Sequence, residues 1–408
     1  MIVLMLFVSF LSLACGPDTQ KILNRAKFLA AQKKYKTAYD LLVQSDPQNK
    51  YPDLVIERVK ILMDGAIYDF ESKNFYFIDP TQILDWASFN QAKSHSQACV
   101  IQPEALLNHL IEKYPDAWGV YQTLGEYYVW LSRYEEMYSV QAAQGYLVVA
   151  LEKLTPVLDH QALDGDGLYA LGVIYSQQQE LLKAVDCFNQ AQQKGNHSAE
   201  LYYALAQAQE TLGQNVQSIN SAQKAYGLYT DIRYKEASAL LIATNYNTMK
   251  DFDNYEKCLL SAQKDLPQSV TLTNWLIDAY IKNGEMKNAE DVVETILNKS
   301  ILDPSTLPSL SGMFEGKVHQ KEFSSFLKRM KKKYGGKKNV LAGLYFCEGM
   351  VQLSSGKEKD ASAAFKKSES IAKTLNPPSP DFIKWLRSDE FKEFVKEKGF
   401  VRLYSNGN

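Results

Sequence analysis

The chain has 408 residues, 46% of them hydrophobic and 23% charged, which makes it too long for one compact core and too apolar for a disordered chain. With 45 Lys and Arg against 47 Asp and Glu, the net charge of −2 excludes a global field that would hold nucleic acid or an anionic membrane surface. Tyrosine is abundant at 25 residues, and amphipathic tyrosine is common where one protein surface recognises another.

The first fifteen residues, MIVLMLFVSFLSLAC, carry no charge. An apolar run of about 14 residues is too short to cross a bilayer of roughly 30 Å as a helix, but it fits the apolar segment of a secretory signal. Leu11, Ser12, Leu13 and Ala14 before Cys15, with Gly16 after it, resemble a bacterial lipobox. The resemblance implies that residues 1–14 are a signal peptide and that the Cys15 thiol is acylated at the mature N-terminus, anchoring the chain to a membrane of the bacterial envelope. A plain cleaved signal and an uncleaved N-terminal anchor are the alternatives.

Residues 20–115 read as a helical region opened by ILNRAKFLAAQKKYKTAYDLLVQSDP, where Ala26, Tyr35, Ala38 and Leu42 have the shape of a helix-turn-helix unit ending at Pro47. From Tyr68 to Phe89 the chain is aromatic-rich and contains Pro80, which predicts an irregular insertion that either packs onto the first helices or forms a ligand lip. Residues 116–300 carry the strongest periodicity. Tyr121, Leu124, Gly125 and Tyr128 open a unit with a long second helix, and Leu168, Leu171, Gly172, Tyr175, Ala184, Phe188 and Ala191 follow at spacings of 3, 1, 3, 9, 4 and 3. The pattern recurs 34 residues on at Tyr202, Leu205 and Ala206, then after 37 at Ile242, Ala243 and Tyr246, then after 34 at Leu276 and Tyr280. The longer step places three inserted residues in the connection LYTDIRYKEA. Residues 301–408 begin with DPSTLPSLSGMFEG, a predicted joint, and hold one more unit at Tyr345, Gly349, Gly356, Ala361 and Phe365.

These spacings resemble the tetratricopeptide pattern W-x2-L-G-x2-Y followed by A-x3-F-x2-A. The resemblance implies an all-α fold, an α-solenoid of helix-turn-helix repeats winding into a right-handed superhelix. Small residues allow two antiparallel helices to approach, and large ones a turn away fill the space between units. It further implies a concave face lined by positions 2, 5, 9 and 12 of each first helix. Here these include Tyr169, Val173, Tyr203, Gln207, Glu210, Leu240, Thr244, Asn247, Asn274 and Asp278. None of the ten is basic, so the expected groove is neutral and lined by amides and tyrosines, suited to an extended peptide.

No catalytic or metal pattern stands out. His95, His109, His160, His197 and His319 are scattered, and Cys99, Cys187, Cys258 and Cys347 include no C-x-x-C pair. DGDG at 164–167 lacks the glutamate that a calcium loop needs, and Asp166 is expected to cap the following helix. The basic run LKRMKKKYGGKK, with Lys328, Arg329, Lys331, Lys332 and Lys333, is expected to end a helix at a glycine cap on Gly335, with a lipid headgroup or acidic contact as the alternative. The expectation is therefore a non-enzymatic scaffold without a cofactor. It binds a protein or peptide in the cell envelope, is anchored through its N-terminal lipid to the outer membrane facing the periplasm, and takes no nucleic acid. A small-molecule or lipid-binding component working with a transporter is the alternative.

Overall fold

The computed structural model describes residues 17–69, 72–79, 86–96, 102–135, 140–299, 320–375, 380–389 and 391. The expected signal segment, Cys15, Cys99, His319 and the expected joint at 303–316 lie outside them. Among the described residues there are nineteen helices and one two-stranded hairpin, and the chain divides into two compact units, 1–212 and 213–408.

The first unit runs α1 (Pro17–Ala31), α2 (Tyr35–Ser45), α3 (Pro52–Gly65), β1 (Ile67–Asp69), β2 (Asn74–Tyr76), α4 (Trp86–Ser94), α5 (Pro103–Lys113), α6 (Trp118–Glu135), α7 (Val140–Asp159), α8 (Gly165–Gln177), α9 (Leu181–Gln193) and α10 (Ala199–Thr211). Glycine decides how closely paired helices approach. A Cβ on Gly125 of α6 would stand 2.6 Å from Leu154 Cγ of α7, and one on Gly172 of α8 would stand 2.5 Å from Phe188 Cε1 of α9. Fully buried Leu124, Ala150, Leu154, Ile174, Ala184 and Phe188 fill the space around these contacts.

The stretch from Tyr68 to Phe89 is not simply irregular. Residues 67–69 and 74–76 pair as antiparallel strands in the register Ile67↔Tyr76, Tyr68↔Phe75 and Asp69↔Asn74, because Tyr, Phe and Ile favour a pleated, half-buried surface and Lys73 accepts a left-handed φ of 55°. Its rings are packed inward: Phe75 is fully buried and lies 5.8 Å from Trp130 of α6. The buried Asp69 carboxylate accepts from Lys93 Nζ at 2.9 Å and from the Ser72 hydroxyl at 2.6 Å, which ties the hairpin to α4.

The second unit runs α11 (Asn215–Leu228), α12 (Ile232–Thr248), α13 (Phe252–Asp265), α14 (Val270–Lys282), α15 (Met286–Lys299), α16 (Gln320–Lys333), α17 (Lys338–Ser354), α18 (Glu358–Ala372) and α19 (Pro380–Leu386). A continuous core joins Tyr255, Leu259, Leu272 and Ile277 to Phe326, Phe346, Phe382 and Phe391. The glycine device recurs here, with a Cβ on Gly349 of α17 falling 2.5 Å from Phe365 Cε1 of α18.

The three inserted residues do not make a longer loop. They lengthen α12 at its start, where Asp231 accepts from the Arg233 N–H, so α12 has 17 residues against 13 in α8, α10 and α14. Between the helices of successive pairs the chain turns on a left-handed residue, at Gln179, Gly213, Lys250 and Gly284. Those steps are again 34, 37 and 34.

The basic run is corrected in one respect. Gly335 is not among the residues with positive φ, so no left-handed glycine cap ends α16. Its cations turn to neighbouring helices instead. Lys333 meets Glu294 of α15 at 2.7 Å, Arg329 pairs with Glu290 of α15, and Lys331 meets Glu348 of α17 at 2.5 Å.

Candidate functional site

In the first unit, α3, α6, α8 and the start of α10 enclose an open cavity of about 470 Å³. Lys60, Met63 and Asp64 line it from α3; Glu126, Val129, Trp130 and Arg133 from α6; Asp166, Tyr169 and Ala170 from α8; Gly195 through Ser198 from the α9–α10 turn; and Glu200 from the first turn of α10.

The sequence places these groups by ordinary helix rules. Asp164 is the N-cap of α8, its carboxylate accepting from the N–H groups of Asp166 and Gly167 at 2.9 and 3.0 Å, so the expected cap at Asp166 is wrong. Freed from that role, Asp166 turns into the cavity. It accepts from Lys60 Nζ at 3.2 Å and from Asn196 Nδ2 at 3.0 Å. Ser198 caps α10 through the Leu201 N–H, while its own N–H and hydroxyl donate to Asn196 Oδ1. The left-handed turn at Gly195, φ 92°, brings Asn196 to this position.

The floor of the cavity is an ion-pair knot. Lys60 lies 3.6 Å from Glu126 as well as 3.2 Å from Asp166. Burial works against its charge, but Glu126, Asp166 and Asp164 outweigh burial and hold its pKa above the ordinary lysine value. Burial pushes the Glu126 carboxyl up to about 7, against the pull of Lys60 and of the Gln122 amide. Gln122 Nε2 donates to Glu126 at 2.7 Å and to Asp164 at 2.5 Å. Oxygens of Glu126, Asp164 and Asp166 lie within 4.8 Å of one another. Lys60, Gln122, Asn196 and backbone N–H groups already contact these carboxylates, so the trio reads as a hydrogen-bonded charge knot.

The expected site residues divide. Tyr169 lines the cavity and is clamped: its hydroxyl accepts from Arg133 at 2.6 Å, the guanidinium lies 5.4 Å over its ring, and the ring packs 5.9 Å from Phe188. Val173 packs against the same Phe188 cluster. On α10, Gln207 is exposed, and Tyr203 and Glu210 are half-buried. In the second unit, Leu240, Thr244 and Asn247 of α12 are half-buried, but Asn274 of α14 is buried at 9% exposure with no hydrogen-bond partner for its Oδ1 among the described residues. Asp278 is occupied, accepting from Lys282 Nζ at 2.6 Å and the Tyr255 hydroxyl at 3.0 Å. Lys282 also donates to Asn247 at 3.0 Å.

The expectation of a neutral face is therefore corrected. The wall in the first unit is acidic with two embedded cations, and in the second unit Lys282 stands among the expected positions. The register contained the missed residues. With Gly172 and Ala206 at position 8, Asp166 and Glu200 stand at position 2, and extending the count to Gly125 puts Glu126 at position 9 and Val129 at position 12. Asp64 and Lys60, on α3 outside any counted unit, had no such signal.

No protein-family model matches the chain, and no curated protein matches it. Among solved structures the chain is similar to a thermophilic TPR protein of Thermus thermophilus, with 20% identity, coverage of 55% of this chain and 98% of that one, and a TM-score of 0.38. It is similar to a tetratricopeptide repeat protein from Parabacteroides merdae, with 17% identity, coverage of 70% and 91%, and a TM-score of 0.37. It is similar to yeast Tom70, with 13% identity, coverage of 94% and 90%, and a TM-score of 0.37. The chain's own contacts, with Gly172 against Phe188 and Gly349 against Phe365 in antiparallel pairs, make the fold an all-α stack of tetratricopeptide-like helix pairs.

Proposed function

We propose that the chain is a binding scaffold, exported and held at a bacterial membrane through an acylated Cys15, that takes an extended segment of another envelope protein on its first-helix face. The observation that carries this reading is the open cavity between α3, α6, α8 and α10, where α3 and the first helices of three successive pairs contribute side chains to a shared wall. The hairpin aromatics do not favour the small-ligand reading, because Phe75 and Tyr76 are buried in packing rather than lining a cavity.

A photo-crosslinking amino acid tests the surface. Placed at exposed Gln207 on α10, it should capture one envelope protein in cells, whereas at Leu182, 71% exposed on the second helix α9, it should not. Capture at both or at Leu182 alone would discard the first-helix face. The anchor has its own test: a mature N-terminus without a diacylglyceryl mass on Cys15 removes it.

A further inference from the structure

We infer that the cavity between α3, α6, α8 and α10 receives a cationic side chain, arginine or lysine, from the segment that the scaffold binds. The inference rests on the binding reading above and adds the chemistry of the partner.

Three observations converge. The first is charge balance. Four carboxylates, Asp64, Glu126, Asp166 and Glu200, line the cavity against two cations, Lys60 and Arg133. Lys60 is shared between Glu126 and Asp166, and Arg133 is turned onto the Tyr169 hydroxyl and ring. Asp64 and Glu200 form no ion pair among the described residues, and both are exposed to an incoming group.

The second is the donor and acceptor count. Lys60 is engaged on carboxylates, Arg133 donates to Tyr169, Asn196 Nδ2 donates to Asp166, and the Trp130 indole N–H donates to the Met63 carbonyl at 3.0 Å. The Asp64 and Glu200 carboxylates add acceptor oxygens to the same wall. A group with many N–H donors and no acceptor complements that surface, and guanidinium has five in a fixed fork.

The third is shape. Trp130, fixed by its bond to Met63 and stacked on Phe75 and Tyr127, closes one side of the cavity with Tyr169, whose ring lies under the Arg133 guanidinium. At about 470 Å³ the cavity is far larger than a bare ion or the ~30 Å³ of one water, and it accommodates a long side chain with its flanking backbone.

The test uses the mature chain and three fluorescein-labelled nonapeptide amides of Gly and Ser with arginine, citrulline or glutamate at the centre, read by fluorescence anisotropy. Citrulline keeps the shape and loses the charge. Arginine should bind at least tenfold more tightly than citrulline, glutamate should not bind, and Asp64→Asn with Glu200→Gln should reduce arginine binding at least fivefold. That double variant should keep the wild-type circular dichroism spectrum, since both side chains are exposed. Glu112→Gln, on α5 outside the cavity lining, should bind arginine as wild type does. Equal binding of arginine and citrulline, absence of binding by all three, or unchanged binding in the folded double variant overturns the inference. A partner captured at Gln207 alongside any of those results leaves the scaffold reading standing and removes this one alone.

Discussion

Replacing a helical glycine by alanine normally stabilises a protein, by up to about 1 kcal/mol, because the unfolded chain loses freedom and the helix gains propensity. In the first unit two glycines should respond with opposite sign. A Cβ on Gly145 of α7 meets nothing within 4 Å, so Gly145→Ala should gain about 0.5–1 kcal/mol. A Cβ on Gly172 would lie 2.5, 2.7 and 3.1 Å from Cε1, Cδ1 and Cζ of Phe188, inside the ordinary contact range of 3.4–4 Å. Phe188 is fully buried and its ring cannot swing into solvent, so one methyl forces the two helices or the ring apart by most of an ångström. Overpacking of this kind costs about 1–3 kcal/mol, which exceeds the propensity gain and makes Gly172→Ala a net loss of about 1–2 kcal/mol. Urea unfolding followed by circular dichroism reads both midpoints, and the two variants should separate by about 2 kcal/mol. The cause can be isolated with Phe188→Leu, since the cost of Gly172→Ala should fall by about 1 kcal/mol in that shorter background. If Gly172→Ala stabilises as much as Gly145→Ala, or its cost is the same with and without Phe188→Leu, the glycine–phenylalanine contact does not set the helix spacing.

Four further outcomes follow from the same contacts. Gln179→Gly and Lys250→Gly should each stabilise by about 0.5–1 kcal/mol, because both hold left-handed φ near 60° that a β-carbon disfavours; a lower melting temperature in both would refute the strain. Burial lifts Glu126 to about 7 from an ordinary value of 4.5, so its contribution to stability is full below pH 4.5 and is lost as pH rises through 7. Glu126→Gln should remove about 1–3 kcal/mol of that decline between pH 5 and pH 8, and an unchanged slope in urea titrations would show that the carboxyl does not titrate there. Tyr169→Ala should lower stability by about 1–3 kcal/mol because the ring packs on Phe188, whereas exposed Gln207→Ala should change it by less than about 0.5 kcal/mol; equal thermal melts for the two would contradict the packing. Lys332 and Lys333 changed together to Gln should cost only about 0–1 kcal/mol, since both are exposed and Lys333 pairs with Glu294 at the surface, and the cost should vanish at high salt; a large salt-independent loss would show a different role.

The helix pairs and their period were legible in the residues alone, because small–large alternation at 34-residue spacing is a local consequence of how closely two helices can approach. Gly172 occupies the helix-contact position that the count assigned it, against Phe188. The strand pair 67–69 with 74–76 was not legible: a short aromatic run between helices carries no strong turn signal, and packing against Trp130 accompanies the sheet. The insertion near 231 was countable in length, but only the Asp231 cap decided that it became helix instead of loop.

The site divides along the same line. Periodicity by itself determined that α8, α10, α12 and α14 are the first helices of their pairs and which of their residues share a face, since side-chain direction repeats every 3.6 residues. The charge of that face depended on groups far apart in the chain. Lys60 reaches Asp166 across 106 positions, Arg133 reaches Tyr169 across 36, and Lys282 reaches Asn247 across 35. Only tertiary structure could place those cations, because the strength of an ion pair is set by distance and desolvation, neither of which a residue's own neighbours specify.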